Sequence, residues 1–155
     1  IYVIELSEDG LSLKSGSSPV QIAGTAYEGT YIHKRGGYYY MFASIGSCCE
    51  GLKSTYTTVV GRSTSLFGPY LDKKGQSMMD NYHEILIHKN DSFVGTGHNS
   101  EIVSDNAGTD WLFYHAVSVA NPDGRVLMLD KIDWIDGWPS VEGNSPSVKS
   151  EKPRF

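Results

Sequence analysis

No window of this sequence repeats its apolar residues at helical spacing, and that absence bears on fold class first. No apolar run is long enough to cross a bilayer as a helix. Positive charge is short as well. The 13 Lys and Arg stand against 18 Asp and Glu, a formal net charge of −5, so the chain lacks the basic face that a phosphate-backbone partner needs. Neither a nucleic acid nor a membrane is expected as partner. Cysteine is nearly missing. Cys48 and Cys49 are the only two and they are neighbours, which excludes a disulfide framework and a zinc site built on spaced thiolates. A bridge between adjacent residues holds the Cα atoms closer than disulfides prefer, so two reduced thiols packed as small side chains are expected. No phosphate-cradling glycine loop, Ser-His-Asp order or specific Cys-His pair is present. The chain opens inside an apparent strand, Ile1-Tyr2-Val3-Ile4-Glu5-Leu6, with neither an initiator Met nor a signal-peptide pattern.

What is abundant points to strands. The 155 residues hold 17 Gly and 10 Tyr, and glycine turns between aromatic and β-branched runs favour an all-β protein. Strands are predicted at 1–6, 19–23, 28–33, 38–44, 55–62, 84–88, 93–98, 101–104, 111–117 and 125–130, with 71–83 as a loop. The pattern runs twice. Gly29-Thr30 answers Gly95-Thr96, Tyr38–Phe42 answers Trp111–His115, Gly61-Arg62 answers Gly124-Arg125, and Gly68-Pro69-Tyr70 answers Gly137-Trp138-Pro139. The spacing of roughly 65–75 residues suits four-stranded blades with long loops. Blades cannot bury both faces alone, so the chain is expected to be part of a larger ring.

Tyr27-Glu28-Gly29-Thr30-Tyr31-Ile32 places a carboxylate at the head of a short strand. Glu28 and His98 are both predicted on the first strand of a repeat, where a propeller lines its central channel. A carboxylate and an imidazole beside aromatic rings suit a sugar, which stacks on rings and hydrogen-bonds to carboxylates. Read alone, Glu28 is equally a solvated charge at a strand end and His98 an ordinary packed or surface histidine. His115, on an aromatic strand, reads as structural, while His33, His83 and His88 read as surface residues. Arg62 and Arg125 are expected to brace blades through ion pairs.

The stretches Glu28–Ile32, Gly37–Ser44, Gly46-Ser47-Cys48-Cys49-Glu50-Gly51, Ser54-Thr55-Tyr56, Val60–Ser63 and Gly68-Pro69-Tyr70 resemble glycoside hydrolase family 43 arabinanases. So do Gly97-His98-Asn99-Ser100, Phe113-Tyr114-His115-Ala116, Gly124–Leu127 and the run from Trp134 to Pro139. The resemblance implies a five-bladed β-propeller that cleaves α-1,5-linked L-arabinan with inversion, of which this chain supplies about the last two to two and a half blades. On that reading 1–24 end a preceding blade, 25–70 form one blade, 84–139 the last, and 140–155 a tail or closing strand. Glu28 maps onto the general acid. The base Asp and a second, acid-tuning Asp map upstream of Ile1. Beside Glu28, Tyr27 and Tyr31 are expected to supply apolar walls, Ser54, Thr55 and Tyr56 to line the sugar cleft, and Cys48 and Cys49 to border it. His98 maps to a contact, direct or through water, with a metal ion, usually calcium, in the channel. Calcium prefers oxygen ligands, so a water-bridged contact suits an imidazole better.

An inverting hydrolase needs one carboxylic acid for the departing oxygen and one carboxylate to activate water, about 6.5–9.5 Å apart. The acid must hold its proton near neutrality, which takes burial or a nearby negative charge. With one candidate carboxylate, the chain alone is expected to be inactive and to need the N-terminal half of the propeller as its partner. A polymeric cell-wall substrate implies an extracellular or periplasmic location. An exo-acting arabinofuranosidase or β-xylosidase on the same fold, and a non-catalytic sugar-binding propeller, are the alternatives.

Overall fold

The computed structural model describes residues 1–155. The protein is all-β. Its strands are β1 (Tyr2–Val3), β2 (Val20–Gln21), β3 (Glu28–Arg35), β4 (Tyr38–Ile45), β5 (Thr57–Ser63), β6 (Glu84–Ile87), β7 (Phe93–Gly97), β8 (Ile102–Ser104), β9 (Asp110–Ser118), β10 (Arg125–Ile135) and β11 (Trp138–Ser140). They make a β1-β2 pair, a four-stranded sheet β3-β4-β5-β6, and a five-stranded sheet β11-β10-β9-β7 in which β8 also pairs with β9. Every pairing is antiparallel.

The run Tyr38–Ile45 looks continuously apolar because both faces of β4 are covered. Tyr40 and Phe42 join a cluster with Leu112, Tyr114 and Ala116 of β9, between the two large sheets. Met41 and Ala43 point the other way, into a cluster with Ile22, Tyr27, Tyr70 and Met78. Alternation along a strand sends successive side chains to opposite faces, so one strand serves two cores. Burying Phe42 completely contributes about 1.5–3 kcal/mol.

Each large sheet opens with a bulge at the same glycine. The register of β3 on β4 shifts between Glu28 and Tyr31, and that of β7 on β9 between Val94 and Gly97. Gly29 and Gly95 sit at these shifts with φ of 58° and 62°. Residues with a Cβ rarely adopt that backbone, which is why the two Gly-Thr pairs correspond.

Five expectations are corrected. β6 pairs with β5, so residues 84–87 complete the first large sheet instead of opening the last blade as expected for 84–139. Cys48 and Cys49 are bonded to each other, with Cα atoms 3.8 Å apart. That is the ordinary spacing across a trans peptide, so adjacent residues reach without a cis bond. Gly61-Arg62 and Gly124-Arg125 do not correspond. Arg62 pairs with Tyr40, but the counterpart of Tyr40, Phe113, pairs with Leu129, while Arg125 pairs with Val117 at the other end of β10. β10 also outruns its predicted end at 130. It pairs with β9 up to Ile132 and then with β11 over Asp133–Ile135, so Trp138-Pro139 lies in a strand rather than only a closing turn. Finally, His33 and His83 are half-buried. His33 stacks on Trp134, and His83 meets the Tyr27 hydroxyl through Nδ1 at 3.1 Å.

The sheets are braced by charge, with partners other than those expected. Arg62 donates to the Gly137 carbonyl at 2.9 Å and lies 4.4 Å from the ring centres of both Tyr38 and Trp138. Its brace is cation–π rather than an ion pair. The ion pair between sheets is Arg35 with buried Asp110, 2.9 Å.

Candidate active site

Glu28 is the first residue of β3, exposed, and pairs across to Ser44 near the end of β4. The inner strand of the second sheet breaks after Gly97 and resumes at Ile102, and His98 stands in that break with φ of 50°. It therefore lies just past β7 and not within it. The break turns its imidazole onto Gly29, where a Cβ would come within 3.2 Å of the His98 ring. The His98 amide donates to Ser44 Oγ at 2.8 Å. Two neighbouring sheets thus place Glu28 and His98 on either side of one buried hydroxyl.

Tyr56 completes the group. It is 1 % exposed, and its Cδ1 and Cε1 atoms lie where a Cβ on Gly97 would stand. Its ring stacks on His115, centroids 5.7 Å apart and 14° from parallel. Burial, with the Glu28 carboxylate adding to it, pushes the Tyr56 hydroxyl up to about 12, so it is a neutral donor across the working pH range. Ser44 Oγ and the Tyr56 ring both border the open Cβ position of Gly97. His115 lies between Tyr56 and His98, whose ring is 6.2 Å away. Arg125 Nη1 is 3.2 Å from His115 Nε2. A guanidinium only donates, so Nε2 accepts and the neutral ring carries its proton on Nδ1. Burial first, then Arg125 and His98, push the His115 pKa down, which keeps the ring neutral.

The residues predicted for the sugar cleft are placed differently from one another. Tyr56 packs beside Ser44, the cross-strand partner of Glu28, and Thr55 is exposed on the preceding loop, its Oγ1 accepting from the Ser47 amide at 3.0 Å. Cys48 lines a shallow groove of about 260 Å³ with Cys49, Gly51, Val117, Pro122, Gly124 and Arg125. Ser54 is buried, accepts from the Glu50 amide at 3.0 Å and donates to the Cys48 carbonyl at 3.3 Å. Tyr27 is buried in the second cluster and donates to the Tyr82 carbonyl at 3.1 Å. It lies just before β3, and its side chain packs with Ile22, Met41 and Tyr70 rather than beside Glu28. Ser44, Gly97 and the Arg125–His115 pair had no signal as site residues beyond their motif neighbours.

No group of three or more His, Cys, Asp or Glu side chains is close enough to hold a metal ion. Calcium takes six to eight oxygen ligands, and His98 brings one nitrogen, so the donors of this chain do not by themselves fit calcium.

The chain resembles proteins of one kind. It is 43% identical over 122 residues to an extracellular exo-α-(1→5)-L-arabinofuranosidase of Cellvibrio japonicus, covering 77% of this chain and 35% of that protein. It is 41% identical over 118 residues to an extracellular endo-α-(1→5)-L-arabinanase of Bacillus subtilis, covering 76% and 35%. Among solved structures, the Cellvibrio cellulosa α-L-arabinanase complexed with arabinohexaose superposes with a TM-score of 0.85 at 34% identity, over 92% of this chain and 50% of that one. The chain therefore spans about a third to a half of the length of these relatives. The sequence profile of glycosyl hydrolases family 43 matches residues 1–139, and the chain belongs to that family.

Proposed function

We propose that this chain is the C-terminal part of an extracellular five-bladed β-propeller enzyme that hydrolyses α-1,5-L-arabinofuranosyl bonds of arabinan with inversion. Glu28 is its general acid, and the base is a carboxylate outside these residues. The observation that carries the reading is the placement of Glu28. It is an exposed carboxylate at the head of an inner strand, backed by a neutral tyrosine hydroxyl, a buried serine and two imidazoles. The family relationship and the arabinanase relatives support the substrate class. Two relatives are named extracellular, which suits a polymer outside the cell.

In this reading the protonated Glu28 gives its proton to the departing glycosidic oxygen as the anomeric C–O bond breaks. Water, activated by the base on the opposite face, closes the new bond. His98 offers calcium in the channel one contact, direct or through water, and no step depends on it.

Glu28→Gln in the full-length enzyme tests the assignment. Turnover of arabinan should fall by about 10²–10⁴-fold, the share general acids supply, with KM little changed. Turnover within twofold of wild type removes Glu28 from the acid role. An exo-acting enzyme is the second reading, favoured by the Cellvibrio japonicus relative. Release of arabinose alone from linear arabinan, with no longer oligosaccharide, selects it.

A further inference from the structure

Tyr56 is held on every side except at its hydroxyl. Its amide donates to the Ser47 carbonyl at 3.0 Å, and its carbonyl accepts from Thr96 Oγ1 at 3.4 Å. One edge of the ring rests on Gly97 and one face on His115, which Arg125 orients from outside. Such fixation is more than a sugar-stacking ring needs, since stacking uses an open face and Tyr56 is buried. The Tyr56 ring and Ser44 Oγ meet at the open Cβ position of Gly97, and Ser44 is the cross-strand partner of Glu28, so Tyr56 is packed beside the strand pair that carries the carboxylate.

Resting on the reading of Glu28 as the acid, we propose that Tyr56 is a positioning residue for it, donating to the carboxyl oxygen that does not carry the proton. His115 and Arg125 hold Tyr56 in that posture. The balance is simple. The Glu28 O–H bond breaks and its proton joins the glycosidic oxygen. The electron pair of the C–O bond leaves with that oxygen, and the carboxyl becomes a carboxylate. The Tyr56 hydrogen bond begins on a neutral acid and ends on an anion. Charge-assisted hydrogen bonds are roughly twice as strong as neutral ones, so this bond strengthens as the proton departs. An interaction stronger in the transition state than in the ground state raises turnover rather than affinity.

The test is leaving-group dependence in the full-length enzyme. Aryl α-L-arabinofuranosides of acidic phenols leave without a proton, whereas the sugar hydroxyl of an arabino-oligosaccharide needs one. Tyr56→Phe should lower kcat on the oligosaccharide about tenfold, the worth of one hydrogen bond, and leave the 2,4-dinitrophenyl glycoside within twofold. KM should hardly move. His115→Ala removes the stack and should reproduce this split, while His115→Phe keeps a ring in place and should show less of it. Equal losses on both substrates with Tyr56→Phe, or no loss on either, overturns the proposal. Glu28→Gln measured in parallel separates the two readings. If it also lacks the split, Glu28 is not the acid. If it shows the split and Tyr56→Phe does not, only the role of Tyr56 falls.

Discussion

The backbone amide of His98 donates to Oγ of Ser44, and Ser44 is the cross-strand partner of Glu28. One buried hydroxyl therefore ties the break in the inner strand of one sheet to the strand pair that carries the carboxylate of the other. Ser44 is 0 % exposed, so no water replaces it readily. Ser44→Ala should remove the partner of the part-buried His98 amide and destabilise the protein by about 0.5–1.5 kcal/mol, the net worth of one hydrogen bond. Urea denaturation measures this, and Ser44→Thr, which keeps the oxygen, should restore part of it. A midpoint unchanged in Ser44→Ala would mean that the His98 amide finds another partner.

Gly97 is needed for space. Its φ is not in the left-handed region, yet a Cβ there would overlap the Tyr56 ring. Gly97→Ala should push Tyr56 off Glu28, costing about 1–3 kcal/mol of stability by overpacking and lowering turnover further than that loss explains. Gly124→Ala is the control, since nothing stands within 4 Å of the added methyl. Near-UV circular dichroism and turnover of the two variants decide it. Equal behaviour would show that the Tyr56 pocket yields.

Much of this was legible in the sequence. Local chemistry reports the elements: the alternating aromatic runs became β4 and β9, and the paired Gly-Thr dipeptides marked two bulges. The failures are non-local. Gly61-Arg62 and Gly124-Arg125 look alike as dipeptides, and only strand register shows that they stand at opposite ends of their third strands. Gly97 gives no local sign that Tyr56, far away in the chain, occupies its missing side chain. Tyr27 was expected beside Glu28, but it precedes β3 and is drawn into the second core cluster, a packing choice set by residues distant in the chain. The cysteine pair was misjudged from typical disulfide spacing, a population preference and not a prohibition on neighbours.

Asp110 collects three donors. Arg35 Nη1 lies at 2.9 Å, Trp134 Nε1 at 2.7 Å and Ser104 Oγ at 2.5 Å. The carboxylate is buried but Arg35 is half-exposed, so solvent screens part of the ion pair. The value of Asp110 is then as much hydrogen-bond acceptance as charge. Asp110→Ala should cost about 2–4 kcal/mol by leaving the Trp134 indole and Ser104 hydroxyl unpaired, and Arg35→Met about 1 kcal/mol. Thermal denaturation of both single variants and the double gives the coupling. Equal losses for the two singles would assign the whole effect to the ion pair.

Asp105 fastens the C-terminal tail and gives it a pH dependence. The Arg154 amide donates to Oδ2 at 3.0 Å, the Thr109 and Ala107 amides to Oδ1 at 2.9 Å each, and the Trp111 indole to Oδ2 at 3.1 Å. The Asn106 amide returns a bond to the Arg154 carbonyl at 2.9 Å. These donors, the Arg154 amide foremost, hold the carboxyl at about 2, below its ordinary 3.8. A carboxylate whose pKa is depressed by folding binds fewer protons in the folded chain than in the unfolded one, so stability rises with pH through this window. The contribution is complete above pH 4 or so and is lost as pH falls toward 2. Asp105→Asn cannot titrate and should lack this component. The difference between wild-type and variant urea midpoints should therefore shrink from pH 5 to pH 2, and protection of the Arg154 amide against hydrogen exchange should fall over the same range in wild type alone. A wild-type minus variant difference that stays constant from pH 5 to pH 2 would show that the tail is held without the Asp105 charge.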